Sequence, residues 1–408
     1  MNPSVPVAAR ILGIVLVGTA ANTFVAVVPS MVGGLVDYGG LSSRVAGQTV
    51  TYEFAGASIS TFASIFILHR SNWNLRATAF VCLLISASCN FASTFSYHEV
   101  HLLQALRFAD GLGAGMSFSA AAIALVGFPH TERAYAALYG SPFLVGGVGM
   151  ATFPHIFAWM GIEGGFFLLG MASVVGLLLL PLFPRRPLTD ATSEVPEVEG
   201  GTASWSTGAV LVMAALFVHY ICNSGIWTYF DRIGVAAGLS AQTAGLILGP
   251  STILALAGMS AAAVLGDRWG FVRPIIAGTV AIAVSSLLLF FAQGIFLFAA
   301  GTAIFNASIT FVTPYFFALL AQLVPSGRAV VVGNLVLWFG FAAGPFLLSF
   351  VVGGDDFRVA IGLTVVGFGC CLALVGLFAW LQRRELLSTT GNGSDRVDKG
   401  PRLDRKAL

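Results

Sequence analysis

Charge is what this sequence has least of. Asp, Glu, Lys and Arg make up 9% of its 408 residues, where a soluble domain carries about 25%. That scarcity excludes an ordinary water-soluble fold. The net charge of +2 is spread through short segments rather than gathered on one face, so nothing points to nucleic acid. Cysteine is scarce too: Cys82, Cys89, Cys222, Cys370 and Cys371 all fall in apolar runs. They read as small buried hydrophobes, not as an extracellular disulfide or a metal site. The chain has no P-loop, no HExxH or clustered His/Cys set, and no GxSxG. ATP-driven transport by this chain alone, metal chemistry and nucleophilic catalysis are therefore not expected, and neither is a cofactor. No small-residue cleavage site accompanies the apolar run behind Arg10, which reads as a first spanning helix rather than a cleaved signal.

What the chain has in abundance is apolar length. It is 57% hydrophobic, with a mean hydropathy of +0.88. Twelve runs of about 20 or more residues are long enough to cross a bilayer. They fall near 11–36, 43–68, 77–96, 102–128, 134–160, 164–183, 206–231, 241–265, 274–293, 295–323, 329–353 and 358–382. With the N-terminus inside, sixteen of the 20 basic residues lie on the inner side, Arg44, Arg232 and Arg358 on the outer side, and Arg107 within the membrane. That bias places both termini in the cytoplasm. The stretch 184–205, rich in Pro, Gly, Ser and acids, is a central cytoplasmic loop dividing a six-helix half over 1–183 from another over 206–385. The polar, Gly-rich, basic tail 386–408 is expected to be disordered. The expected fold class is an all-α membrane protein of twelve transmembrane helices in two pseudo-symmetric halves.

The two halves also share a repeat. GLSSRVAG at 40–47 recurs as GLSAQTAG at 238–245, and the same offset of 198 carries HRSNWNLR (69–76) onto DRWGFVRP (267–274). Two parallel six-helix repeats form a common transporter architecture with the solute site between them. GDRWGFVR at 266–273 resembles the cytoplasmic GxLaDrxGrk motif of the major facilitator superfamily, with Leu265, Asp267, Arg268, Gly270 and Arg273 matching. RFADGLGAG at 107–115 resembles that superfamily's fourth-helix RxxQGxGxG motif, with Asp110 for the glutamine, and Gly340 to Pro345 gives a GxxxGP fragment of its drug/proton antiporters. The resemblance covers the whole chain. Departures are His69 and Asn72 in the first-half loop copy, and the glycine spacing of GSPFLVGGVG in span 5. The resemblance implies two halves rocking about a midplane cavity, with Asp267, Arg268, Gly270 and Arg273 as an inner-gate motif.

Intramembrane charge marks the candidate chemistry, because it is costly and normally faces a partner or a watery cavity. Arg107 and Asp110 lie one helical turn apart, followed by the small-xxx-small pair Gly111 and Gly115. Glu53 lies about 11 residues, roughly 16 Å, from the outer end of span 2, with Gly56, Ser60 and Ser64 along its face. These three are the candidate proton or charge-switching group; the alternative is a static pair that fixes packing. Asn22, His219, Tyr220, Asn223, Trp227, Asn306 and Thr310 are candidate substrate-binding residues, gathered by helical spacing on spans 1, 7 and 10. Asp231 and Arg232 read as an interfacial ion pair or loop anchor.

The expected function is secondary active transport of a small organic solute across the cytoplasmic (inner) membrane, with the proton gradient as energy source and no catalytic or metal site. Partners are the solute, protons and membrane lipids; a monomer is expected. Efflux and uptake stay open, since GxxxGP leans one way and the buried arginine the other. The rival reading is a sensor or scaffold that keeps the fold without turnover.

Overall fold

The apolar runs form helices in a computed structural model that describes residues 6–68, 73–128, 131–187, 206–324, 328–354 and 356–391. Nine helical segments among the described residues are long and apolar enough to cross a membrane. One of them, Thr131–Leu182, holds spans 5 and 6, because Gly161 breaks it with a φ of 68°. Span 1 is outside those nine because it is interrupted, as Val7–Ala21, Thr23–Ala26 and Val28–Asp37. Span 4, Val100–Ala124, carries Arg107 and Asp110. With these, the described residues form twelve spans. The others are span 2 (Ser43–Ile67), span 3 (Leu75–Ser96), span 9 (Val272–Phe290), span 10 (Ile295–Leu323), span 11 (Arg328–Ser349) and span 12 (Arg358–Gly391). Span 7 is Thr207–Thr228 with Phe230–Ala236, and span 8 is Ala241–Ile253 with Ala255–Leu265. The last helix thus continues six residues into the stretch expected as tail. Most of the central loop (188–205), the rest of the tail (392–408), and His69, Arg70 and Asn72 lie outside the described residues.

The sequence repeat has a local structural meaning. Gly40 and Gly238, equivalent under the offset, both take positive φ (68° and 88°) where span 1 and span 7 end. That is the left-handed conformation a helix C-terminus favours and glycine tolerates. Two residues on, Ser42 and Ser240 each accept a hydrogen bond from the backbone N–H three residues later (3.3 and 3.1 Å), starting spans 2 and 8. An N-cap serine satisfies a donor that the first turn leaves free. The repeat is therefore a stop-and-start signal used twice.

Packing inside each half relies on backbone approach. Gly56 lies against the Phe108 carbonyl, Gly111 against that of Glu53 and Gly115 against that of Ala57, so spans 2 and 4 touch along their length. Gly258 against the Ala307 carbonyl repeats this between spans 8 and 10. Small residues permit such contact, and without water in the bilayer close packing supplies much of the association. At the end of span 3, the Tyr97 hydroxyl donates to Glu163 at 2.5 Å. That bond, with burial, pushes the Tyr97 phenol up to about 12.

The buried apolar residues divide by depth. The face where both halves begin (Ile14, Phe128, Leu216, Ile275) is the terminal face; the other is the distal face. Toward the distal face one cluster runs across both halves, from Phe24, Val32 and Phe157 to Phe230, Phe298 and Phe357. Toward the terminal face each half has its own cluster, one drawn from 14–183 and the other from 209–378. The halves are joined distally and parted on the terminal side.

The Gly111 contact gives a direct packing test. Gly111→Ala puts a methyl group onto the Glu53 carbonyl and should cost about 1–3 kcal/mol, read as a lower thermal midpoint in detergent. Gly362→Ala, which meets nothing within 4 Å, should leave that midpoint unchanged or slightly raised.

Candidate functional site

Three charged side chains meet in the N-terminal half with no exposed surface: Glu53 of span 2 and Arg107 and Asp110 of span 4, each 0% exposed. Arg107 Nη1 donates to Asp110 Oδ2 at 2.9 Å and to Asn90 Oδ1 at 3.1 Å, while Nη2 donates to Ser93 Oγ at 3.0 Å. The guanidinium carbon also lies 4.9 Å from the ring of Phe24 and 5.2 Å from that of Phe166, within cation–π range. Asp110 accepts from Ser86 and, at 3.2 Å, from Asn90 Nδ2; Ser173 donates in turn to Ser86 at 3.2 Å. Span 3 thus supplies three of the partners. Ser86, Asn90 and Ser93 follow i, i+4, i+7, a polar stripe on one helix face that sequence reading passed over.

Glu53 is held differently. Its Oε2 is 3.7 Å from Arg107 Nη1, an ion pair beyond hydrogen-bond length, and neither carboxyl oxygen has a hydrogen-bond partner among the described residues. Two carboxylates face one guanidinium, and one of the two is fully bonded. The equivalent of Arg107 under the repeat offset is Phe305, fully buried and edge-on to Phe230 at 5.0 Å.

The other candidate residues separate into groups. Asn22 sits at the first break in span 1, and its Nδ2 donates to the carbonyls of Gly18 (3.2 Å) and Ala114 (3.1 Å). Tyr220 and Thr313 share a hydroxyl–hydroxyl bond of 2.7 Å. Trp227 packs on Phe341, with ring centroids 6.3 Å apart. Asn223, on the face shared by Tyr220 and Trp227, is buried without a hydrogen bond to another described residue. Asn306 donates to the Thr302 carbonyl (3.0 Å) and Ser251 (3.5 Å), and Thr310 to the Ala255 carbonyl (2.5 Å). Those two face span 8 rather than the space between halves. His219 lies among Tyr220, Phe316 and Phe368 at 5.5 to 5.7 Å, and neither ring nitrogen has a partner among the described residues. It is separate from the charged cluster.

At the distal face Arg232 joins the halves. Its two terminal nitrogens each donate to Asp37 of span 1 at 2.7 Å, in the fork geometry that suits a carboxylate, and it also pairs with Asp231 at 3.3 Å. The Asp231 carboxylate lies against Gly33, and the Tyr229 hydroxyl against Gly47, so spans 1 and 2 lack side chains where span 7 presses in. Midway down, Ser58 donates to the Trp338 carbonyl at 3.0 Å, and Gly147 meets the backbone of Gly249. Among the described residues, contacts of this kind reach Ser58 and Gly140, nine residues short of the terminal ends of spans 2 and 5. Asp267 and Arg268, in the terminal loop around Gly270 (φ 69°), and Arg273, in the first turn of span 9, are exposed, and none pairs with another described residue. The motif expected at an inner gate stands on the parted side.

A family model described as Major Facilitator Superfamily matches residues 10–325, more than three quarters of the chain. The chain belongs to the major facilitator superfamily. Solved structures of similar fold include a D-xylose–proton symporter (16% identity, TM-score 0.72, 92% of this chain and 96% of that one). An inward open xylose transporter XylE from E. coli matches at 14% identity and TM-score 0.71, covering 92% and 96%. The nucleoside transporter NupG matches at 13% identity and TM-score 0.67, covering 91% and 99%. Identities this low carry the fold and not the solute. No curated protein matches the chain by sequence. Arg232 and Asp37 clamp the two halves together at the distal face.

Asp37→Asn should loosen that clamp. Asp37 is partly exposed, with 36% of its side chain accessible, so the loss is about 1 kcal/mol, or roughly fivefold in the closed-to-open ratio. Spin labels at Tyr38→Cys and Ala236→Cys, in a background without native cysteines, should report a second, longer distance in Asp37→Asn.

Proposed function

We propose that this superfamily member is a secondary active transporter, not an enzyme, moving a small organic solute across the cytoplasmic membrane by alternating access coupled to protons. The observation that carries the reading is Glu53. A buried carboxylate with neither a hydrogen bond nor a close ion pair is expensive to keep charged. Asp110 already occupies Arg107, so one proton on Glu53 balances the cluster. Rocking of the halves would bring Arg107 to Glu53 or expose Glu53 to water, releasing that proton. A static structural pair would have been hydrogen-bonded on both sides, as Asp110 is.

The arginine bias supports a cytoplasmic terminal face, which makes the parted conformation inward-facing. In it Asp267, Arg268, Gly270 and Arg273 are an inner gate at rest, re-engaged when that face closes. Solute contacts are proposed at Asn22, Tyr220, Asn223 and Trp227, beside the space between halves. His219, Asn306 and Thr310 are turned into the C-terminal half and would reach solute only after rearrangement. The direction of transport is left open.

Liposomes containing a pH-reporting dye test the coupling against sugars, nucleosides, peptides and aromatic compounds. The wild type should move protons with at least one solute class, and Glu53→Gln should lose that movement by tenfold or more while keeping its melting temperature. Full proton movement in Glu53→Gln rejects the role assigned to it. Arg107→Ala, which strands a buried carboxylate, should cost about 3–5 kcal/mol of stability, read as loss of folded protein by size-exclusion chromatography.

A further inference from the structure

Phe341 stands at the centre of a set of rings that the charged cluster does not use. Its centroid lies 4.8 Å from Phe54 of span 2, 5.9 Å from Tyr220 and 6.3 Å from Trp227 of span 7, and 6.0 Å from Trp338 one turn away. Both halves contribute, at the separations and tilts aromatic pairs prefer. On span 11 the lipid-facing side is marked by Phe339, Phe346 and Phe350, each at least 43% exposed. At 100° per residue, Trp338 and Phe341 point well away from that side. Yet Trp227, Trp338 and Phe341 all keep partial exposure. A ring turned inward but still accessible borders open space between the halves.

Polar groups stand beside these rings. Asn223 has no hydrogen bond to another described residue and shares a helix face with Tyr220 and Trp227. Thr313 donates to the Ile309 carbonyl at 2.8 Å, so Tyr220 donates to Thr313 and keeps its hydroxyl lone pairs as an acceptor. Fixed aromatic walls with a few convergent polar groups are the usual composition of a small-molecule site.

We infer that this space is the solute subsite, and that the solute it selects carries a flat aromatic ring with a hydrogen-bonding substituent. The ring stacks among Phe341, Trp338 and Trp227, and the substituent faces Asn223 and Tyr220. The inference rests on the transporter reading and adds the solute class to it. It also links solute to proton: Glu53 and Phe54 are consecutive on span 2, one beside Arg107 and the other against Phe341. A ring entering beside Phe341 displaces the helix that carries the proton.

Matched pairs of probes test this on the full chain in lipid nanodiscs: benzoate with cyclohexanecarboxylate, benzylamine with cyclohexylmethylamine, and benzyl alcohol with cyclohexylmethanol. Binding is read by tryptophan fluorescence and thermal midpoint. Simple partitioning into lipid favours the saturated member, so it cannot mimic the expected result. At least one aromatic member should bind tenfold or more tightly than its partner, and Phe341→Leu should abolish that preference without lowering the ligand-free midpoint. If Phe341→Leu does not fold, Trp338→Leu serves the same purpose. Equal binding within every pair, or a preference that survives the substitution, overturns the inference. Liposome flux separates the two readings. Ring-selective binding without any flux sinks transport and leaves the subsite standing, whereas proton-coupled flux of a sugar or peptide without ring preference does the reverse.

Discussion

A guanidinium in the middle of a bilayer has to be surrounded by partners, and that requirement organises the N-terminal half. Arg107 draws in span 3 through Asn90 and Ser93, span 1 through Phe24, span 6 through Phe166 and span 2 through Glu53. Four of the five other spans in this half are positioned against one side chain. The glycines one turn beyond it let span 2 come close enough for Glu53 to reach. Because the interior is poor in water, each polar partner matters more than it would at a surface. Of the two carboxylates that face Arg107, Asp110 holds it by a hydrogen bond and Glu53 by a longer ion pair.

The two halves are alike in their turns and unlike in their chemistry. Gly40 with Ser42 and Gly238 with Ser240 make the same helix end and helix start. The close pairing of spans 2 and 4 recurs in spans 8 and 10. But where one half has Arg107 the other has Phe305, and where one has Glu53 the other has Ser251. Duplication maintained what backbone geometry demands, while the charge-bearing positions diverged. The charged cluster and the set of aromatic rings meet at span 2, where Glu53 and Phe54 are consecutive.

Much of this was legible in the chain. Apolar length placed the spans, and the cost of intramembrane charge singled out Glu53, Arg107 and Asp110, which the structure gathers into one cluster. Periodicity also showed that Tyr220, Asn223 and Trp227 share a face. Less legible were partners on neutral residues. Ser86, Asn90 and Ser93 are individually ordinary in a membrane helix, and they become ligands for Arg107 because span 3 turns that face inward. Asp37 gave no signal at all, since a carboxylate at a helix end is commonplace; its meaning depends on Arg232 arriving from the other half. His219 shows the converse, a conspicuous residue that packing encloses among aromatic rings.

By itself the sequence determined that the chain crosses a membrane many times, that it is built from a repeated unit, and where charge enters the interior. Those are consequences of hydrophobic length, turn chemistry and desolvation, all of which act locally along the chain. The tertiary structure decided which carboxylate Arg107 holds, which face of the molecule is closed, and which aromatic side chains turn inward. Each of these depends on how one helix is rotated against another. A rotation of about 100° separates adjacent residues on a helix, so a small change in packing angle exchanges a lipid-facing side chain for one at the centre.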